Sequence, residues 1–124
     1  CIAFSPLAQG FLSNKYLNGL PKGTRASENS SFSKKLITKK NTKIINDLNK
    51  LAKKRGQNLS QMALAWVLNN KAITSALIGA RTVTQLRDCL ASLDNLKFGK
   101  EEIKKINQKA KDGDINIWAP SSSY

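Results

Sequence analysis

Apolar residues recur at helical spacing in four stretches of this 124-residue chain. Ile44, Ile45, Leu48, Leu51 and Ala52 share one helical face, Lys39, Lys43, Lys50, Lys53 and Lys54 lie on the other, and Arg55-Gly56 provides a stop. A second helix is expected through Met62-Ala63-Leu64-Ala65-Trp66-Val67-Leu68, capped by Ser60 and flanked by Leu59 and Leu64 as a hydrophobic staple. Trp66 reads there as a packing residue rather than a stacking platform. Leu86, Leu90 and Leu93 predict the buried stripe of a third helix, and Ile103, Ile106 and Ala110 that of a last one. Glu101 and Glu102 in the first turn and Lys109 and Lys111 in the last complement that helix's dipole.

Two short apolar runs lack this period. Cys1-Ile2-Ala3-Phe4 and Ala76-Leu77-Ile78 read as buried strands, so strands alternating with helices predict an α/β chain. The second run passes through Gly79-Ala80-Arg81 into a helix opened by Thr82, with Gln85 three residues on as the other half of a capping box. Backbone N–H groups of a first helical turn favour an anion, and Arg81 adds a planar, permanent charge beside them. These residues alone fit either a phosphate site or an ordinary capped junction. Between Asn18 and Ser33, Gly, Ser, Asn and Pro concentrate, which predicts a loop, and the part beyond Arg25 can be a plain exposed connection.

The formal charge of +13 raises nucleic acid or an acidic membrane as partners. Its distribution disfavours both. The lysines follow a solvated helix face, aromatic residues make up only 6%, and Phe4 and Trp66 sit in apolar segments rather than interleaved with basic ones. No apolar stretch is long enough to cross a membrane, and no basic region precedes the first one as in a signal peptide. Cys1 and Cys89 lack zinc-site spacing, so no metal site is expected and a reducing cytoplasm is. Cys1 suits strand packing.

Three motifs in order carry a family resemblance over the whole chain. Ser5-Pro6-Leu7-Ala8-Gln9-Gly10-Phe11-Leu12-Ser13-Asn14-Lys15-Tyr16 resembles the seventh strand and following loop of an aldo-keto reductase, Met62 to Leu68 its Ala-Leu-x-Trp helix, and Ile78-Gly79-Ala80-Arg81 with Gln85-Leu86 its eighth strand and helix. Gly19-Leu20-Pro21 and Arg25-Ala26-Ser27 add a likeness to the branch holding L-glyceraldehyde 3-phosphate reductase and the potassium-channel β subunits. The resemblance implies an α/β fold, namely the last two βα units plus the terminal helix of a TIM (β/α)8 barrel. Residues 1–124 would form one partial domain, with 18–36 as a cofactor-side loop and 114–124 as a C-terminal tail in which Trp118 walls a substrate pocket or simply packs.

The implied cofactor is NADP(H). By resemblance, Ser5, Pro6, Leu7 and Ala8 pass under it and Gln9 faces it; Lys15 meets the pyrophosphate, and Arg25 is a second basic residue on the same loop. Gly79, Arg81 and Gln85 hold the adenosine phosphate, and Asp88 approaches the adenine. Cys89 stands where the family normally has Asn, and serves either adenine contact or packing. The parent would reduce small aldehydes or ketones by hydride transfer without metal, using a Tyr, Lys, Asp and His set from earlier strands. This chain contains no histidine, and its tyrosines, Tyr16 and Tyr124, occupy a loop and a tail. No catalytic residue is therefore assigned, and the chain alone is expected to be inactive. A complete barrel takes about 250 residues, so association, a missing N-terminal portion or marginal stability is expected. The alternative is an interaction or regulatory subunit of the same superfamily.

Overall fold

A computed structural model describes residues 1–18 and 37–111; Arg25, most of the predicted loop, Trp118 and Tyr124 lie outside them. Strands β1 (Ile2–Ala3) and β2 (Ser75–Ala76) pair in parallel, with Ile2 opposite Ser75 and Ala3 opposite Ala76. Bonds from the Thr74 N–H to the Cys1 carbonyl (2.7 Å) and from the Leu77 N–H to the Ala3 carbonyl (2.8 Å) extend the ladder at both ends. Parallel strands need a long crossover. Here it contains α1 (Lys39–Lys54) and α2 (Leu59–Leu68). After β2 come α3 (Val83–Leu90), a 3-10 turn at Ala91–Asn95 and α4 (Lys100–Lys109).

The core lies between α1, α2 and α4. Ile45, Leu48 and Ala52 of α1 are buried with Leu59 and Met62 of α2 and Ile106 of α4, and Phe11, Leu17, Ile44, Leu51 and Phe98 pack around them. Burying each large aliphatic side chain contributes about 1.5–3 kcal/mol. The expected stop of α1 is observed. Gly56 takes φ +71°, and the N–H groups of Gly56 and Gln57 return to the carbonyls of Lys53 and Ala52, closing the last turn.

The start of α2 differs from the expectation. Its N-cap is Asn58, whose side chain accepts from the Gln61 N–H while the Gln61 side chain accepts from the Asn58 N–H. Only Asn58 has a Gln three residues on to complete a capping box; Ser60 has Ala63 there and instead donates to the Leu12 carbonyl. Leu59 is thus the first helical residue and not one arm of a staple, although it and Leu64 are both buried.

A larger difference concerns the predicted buried stripe. Leu86, Leu90 and Leu93 are 43%, 53% and 53% exposed, and Val83 is 67% exposed. Ile2, Phe4 and Leu77, on one face of the strand pair, are also exposed, as are Cys1, Trp66 and Ala110. Periodicity identifies an apolar face but not the surface that covers it. Within the described residues α3 packs on α2 and the 3-10 turn, which leaves this stripe uncovered.

Candidate functional site

Because β1 and β2 run parallel in register, the segments leaving them emerge at one edge of the sheet, where ligands of parallel α/β folds bind. From β1 the chain enters Ser5 to Gly10, the first half of the first predicted motif. The Ala8 N–H bonds the Ser5 carbonyl (3.0 Å), the Gly10 N–H bonds the Leu7 carbonyl (2.9 Å), and the Leu12 N–H returns to Leu7 (3.2 Å). Three non-glycine residues here hold positive φ: Ser5 at 52°, Ala8 at 47° and Gln9 at 57°. Ser5 is the more unusual for preceding Pro6, a position normally extended. Such backbone costs about 1–3 kcal/mol per residue and concentrates at functional sites. Gly10 follows at φ 94°.

Further along, the Ser13 hydroxyl donates to the Gly10 carbonyl and accepts from the Lys15 N–H, which leaves the Lys15 side chain exposed. Tyr16 is buried near Phe11, with ring centroids 6.3 Å apart, and so has a packing role.

From β2 the chain passes through Gly79 and Arg81 to the N-terminus of α3. Thr82 caps this helix by accepting from the Gln85 N–H (3.2 Å). The capping box is altered, because Gln85 Oε1 accepts from the Arg81 N–H (2.8 Å) rather than from Thr82. Its carbonyl is thereby committed to holding the Arg81 backbone. The N–H groups of Val83 and Thr84 have no partner among the described residues, and the Arg81 side chain is exposed beside them. A Cβ added at Gly79 would meet no atom within 4 Å, and its φ is ordinary, so the fold itself does not require glycine. The open backbone suits close approach by a ligand.

Asp88 and Cys89 are engaged with the body of the fold. The Asp88 carboxylate accepts from Asn58 Nδ2 at 2.8 and 3.0 Å and from Gln61 Nε2 at 2.9 Å, and the Asp88 carbonyl takes a further bond from Gln61 Nε2 at 3.2 Å. An anion is thus seated at the N-terminus of α2, where the helix dipole favours it. Cys89 is buried, and burial, followed by the neighbouring Asp88 charge, pushes its thiol above the ordinary range. It packs as a neutral group.

A second polar clamp joins α1 to α4. The Arg55 side chain, 3% exposed, donates to Gln57 Oε1 (3.0 Å), the carbonyls of Asn95 and Lys97 (3.0 Å each) and Glu102 Oε2 (2.9 Å), and lies 3.7 Å over the Phe98 ring. Glu102 also caps α4 through the Gly99 N–H (2.8 Å). Neither Asn58, Gln61 nor this role of Arg55 is evident from local pattern; only the Asn58-to-Gln61 spacing offered a signal.

The parallel strands, the crossover helices and the anion-favouring end of α3 define a partial α/β fold with its candidate site at the strands' C-terminal edge. The chain belongs to the aldo/keto reductase family, whose sequence model matches residues 1–111. It is 42% identical over 126 aligned residues to an L-glyceraldehyde 3-phosphate reductase of Escherichia coli K12, a match covering 98% of this chain and 36% of that protein. It is 34% identical to an uncharacterized oxidoreductase of Bacillus subtilis 168, over 86% of this chain and 30% of that one. A putative voltage-gated potassium channel subunit beta of Schizosaccharomyces pombe is 32% identical over 85% of this chain and 32% of its own. The chain spans about a third of the length of these curated relatives. The family implies a TIM barrel, of which the described residues resemble a part, and it generally uses a nicotinamide dinucleotide. Among the described residues no helix is long and apolar enough to cross a membrane, and no cluster of His, Cys, Asp or Glu could hold a metal ion.

Proposed function

We propose that this chain forms the phosphate- and adenosine-binding portion of an NADPH-dependent aldo-keto reductase, corresponding to the last two βα units and terminal helix of the barrel. The observation that carries this reading is the junction after β2. Gly79 opens onto free space, Arg81 is exposed, and the Val83 and Thr84 N–H groups have no partner among the described residues, all at the edge where the positive-φ segment Ser5 to Gln9 also emerges. These groups fit a dinucleotide carrying a phosphate on its adenosine half. Arg81 and the α3 N-terminus would bind that phosphate, Lys15 the pyrophosphate, and the Ser5 to Gln9 backbone would line the path between them; Arg25, outside the described residues, belongs to the same proposal. When bound, the cofactor supplies the hydride.

The parent's substrates are small aldehydes or ketones, and its proton donor comes from segments other than this one. The chain alone therefore has no reductase activity; turnover of methylglyoxal with NADPH by the purified chain would defeat that claim. A cytoplasmic setting is part of the same proposal and fits the free thiols of Cys1 and Cys89. The binding test is Arg81→Gln. A charge-assisted bond is worth about 1.5–3 kcal/mol, so NADPH affinity should fall about 10- to 100-fold while NADH affinity stays within about twofold. An equal loss for both nucleotides would remove Arg81 from the phosphate. A second reading, a regulatory subunit, draws on the likeness to the S. pombe channel subunit. A stoichiometric partner in a pull-down would favour it.

A further inference from the structure

We infer that Ser60 of α2 and Asn46 of α1 are positioning residues for Lys15: each holds one end of the backbone arc that presents the lysine. The inference rests on the nucleotide-binding reading above and adds to it the helices on which that part of the site depends. A lysine ammonium is a point charge on a flexible stem. Where it can reach is therefore decided by the backbone beneath it.

The arc runs from Leu12 to Leu17, and the bonds at its two ends come from different helices. The Ser60 hydroxyl donates to the Leu12 carbonyl at 3.3 Å, between residues 48 apart in the chain. Asn46 Nδ2 donates to the Leu17 carbonyl at 3.4 Å and to the Thr42 carbonyl of its own helix at 2.9 Å, which orients the amide. Between these ends Ser13 caps the short turn Asn14–Tyr16 by accepting from the Lys15 N–H, and Tyr16 is buried. Asn14 and Lys15 are the exposed residues of the arc. Ser60 is available for this task because Asn58 and Gln61 close the capping box of α2 between themselves. Its hydroxyl belongs to a buried residue, so water does not readily replace the bond to Leu12. Asn46 is half-buried and its bond to the arc is the longer, which makes it the weaker hold. Phe11 and Leu17 seat the arc on the core, but apolar contact is non-directional. The two polar bonds fix which way the arc faces.

The test titrates NADPH into the 124-residue protein, Ser60→Ala, Lys15→Gln and the double variant, following ligand fluorescence, with circular dichroism to check that the helices persist. Lys15→Gln should weaken binding about tenfold or more, as for a charge-assisted bond, and Ser60→Ala about two- to tenfold, as for one neutral bond. In the Lys15→Gln background Ser60→Ala should add less than about twofold, because the group that it positions is gone. Equal losses in both backgrounds overturn the inference and leave nucleotide binding intact. Absence of NADPH binding to the unaltered protein overturns the nucleotide reading and this inference with it. Asn46→Ala should give the same pattern at a smaller size. A second readout needs no ligand, since trypsin cuts after Lys15 and after Lys71, which lies in an exposed turn. Ser60→Ala and Asn46→Ala should each speed cutting after Lys15 by more than about twofold and leave cutting after Lys71 unchanged, as local opening of the arc requires. Unchanged cutting after Lys15, or equal acceleration at both sites, overturns the inference.

Discussion

The side of the molecule built from α1, α2 and α4 and the side built from β1, β2 and α3 are held by different forces. The first buries Ile45, Leu48, Ala52, Leu59, Met62 and Ile106 in one apolar cluster. The second exposes Ile2, Phe4, Leu77, Val83, Leu86, Leu90 and Leu93, and α3 is fixed to α2 through the bonds from Asn58 and Gln61 to Asp88. Of the candidate site, the strand ends and the start of α3 lie on the second side, while Lys15 stands between Phe11 and Leu17, which pack against the first. The residues that bury the core are therefore not the ones proposed to bind a ligand, and α3 rests on polar anchors that each contribute about 1–3 kcal/mol.

Truncation of one large aliphatic residue on each side breaks or upholds that contrast most directly. Ile45→Ala removes a side chain that is 2% exposed and should cost about 2–5 kcal/mol in urea unfolding. Leu90→Ala removes one that is 53% exposed and should stay within about 0.5 kcal/mol. Equal losses would mean that the apolar face of α3 is covered in solution, by a second copy or another chain, and equilibrium sedimentation would tell whether copies associate.

Next in size is the Arg55 clamp, which ties the core to the turn following α3. Replacing Arg55 with Ala strands the Asn95 and Lys97 carbonyls and loses the contact over Phe98. Because Glu102 is 42% exposed and regains water, the loss should be about 2–3 kcal/mol, below that of a fully buried pair. Arg55→Lys keeps the charge but not the fork, and should recover less than half of the loss. Full recovery by Lys would show that charge, not the multiple bonds, holds the turn. Smaller again is Asp88→Ala, at about 1–3 kcal/mol for the donors left unpaired at the start of α2.

What the sequence makes legible follows the same division. The face of α1, its stop at Gly56 and the placing of Glu101, Glu102 and Lys109 at the ends of α4 are local properties, and each is found in place, whereas Lys111 lies beyond the end of that helix. The parallel arrangement follows from alternating element types. Asn58 as the true cap of α2 was also within reach, since its spacing to Gln61 is a local signal. The commitment of Asp88 and Gln61 to each other depends on residues 27 apart in the chain, and that of Arg55 and Glu102 on a separation of 47, which no local pattern encodes. The positive φ of Ser5, Ala8 and Gln9 carries no compositional mark, because glycine, the usual sign of such backbone, is absent at all three. Of the candidate site, the residue types were visible, whereas which of them remain free for a ligand was a matter of tertiary contact.

The smallest effect concerns the rim of the stable side, where Lys109 of α4 donates to Asp47 of α1 at 3.0 Å and Lys50 lies 3.8 Å away. The bond from Lys109 chiefly, opposed by desolvation and aided by the charges of Lys109, Lys50 and Lys43, holds the Asp47 carboxyl below its usual range. A carboxylate with a lowered folded value stabilises the fold fully above its unfolded pKa, about 3.9, and that contribution is lost as pH falls through the folded value. The difference in melting temperature between the protein and Asp47→Asn should therefore be constant from pH 7 to about pH 5 and shrink below about pH 4. Because the pair is solvent-exposed, the difference should also shrink as salt rises at pH 7. A difference that persists unchanged at pH 2.5 would mean that Asp47 acts through packing between α1 and α4 rather than through its charge, and that the stable side owes nothing to this ion pair.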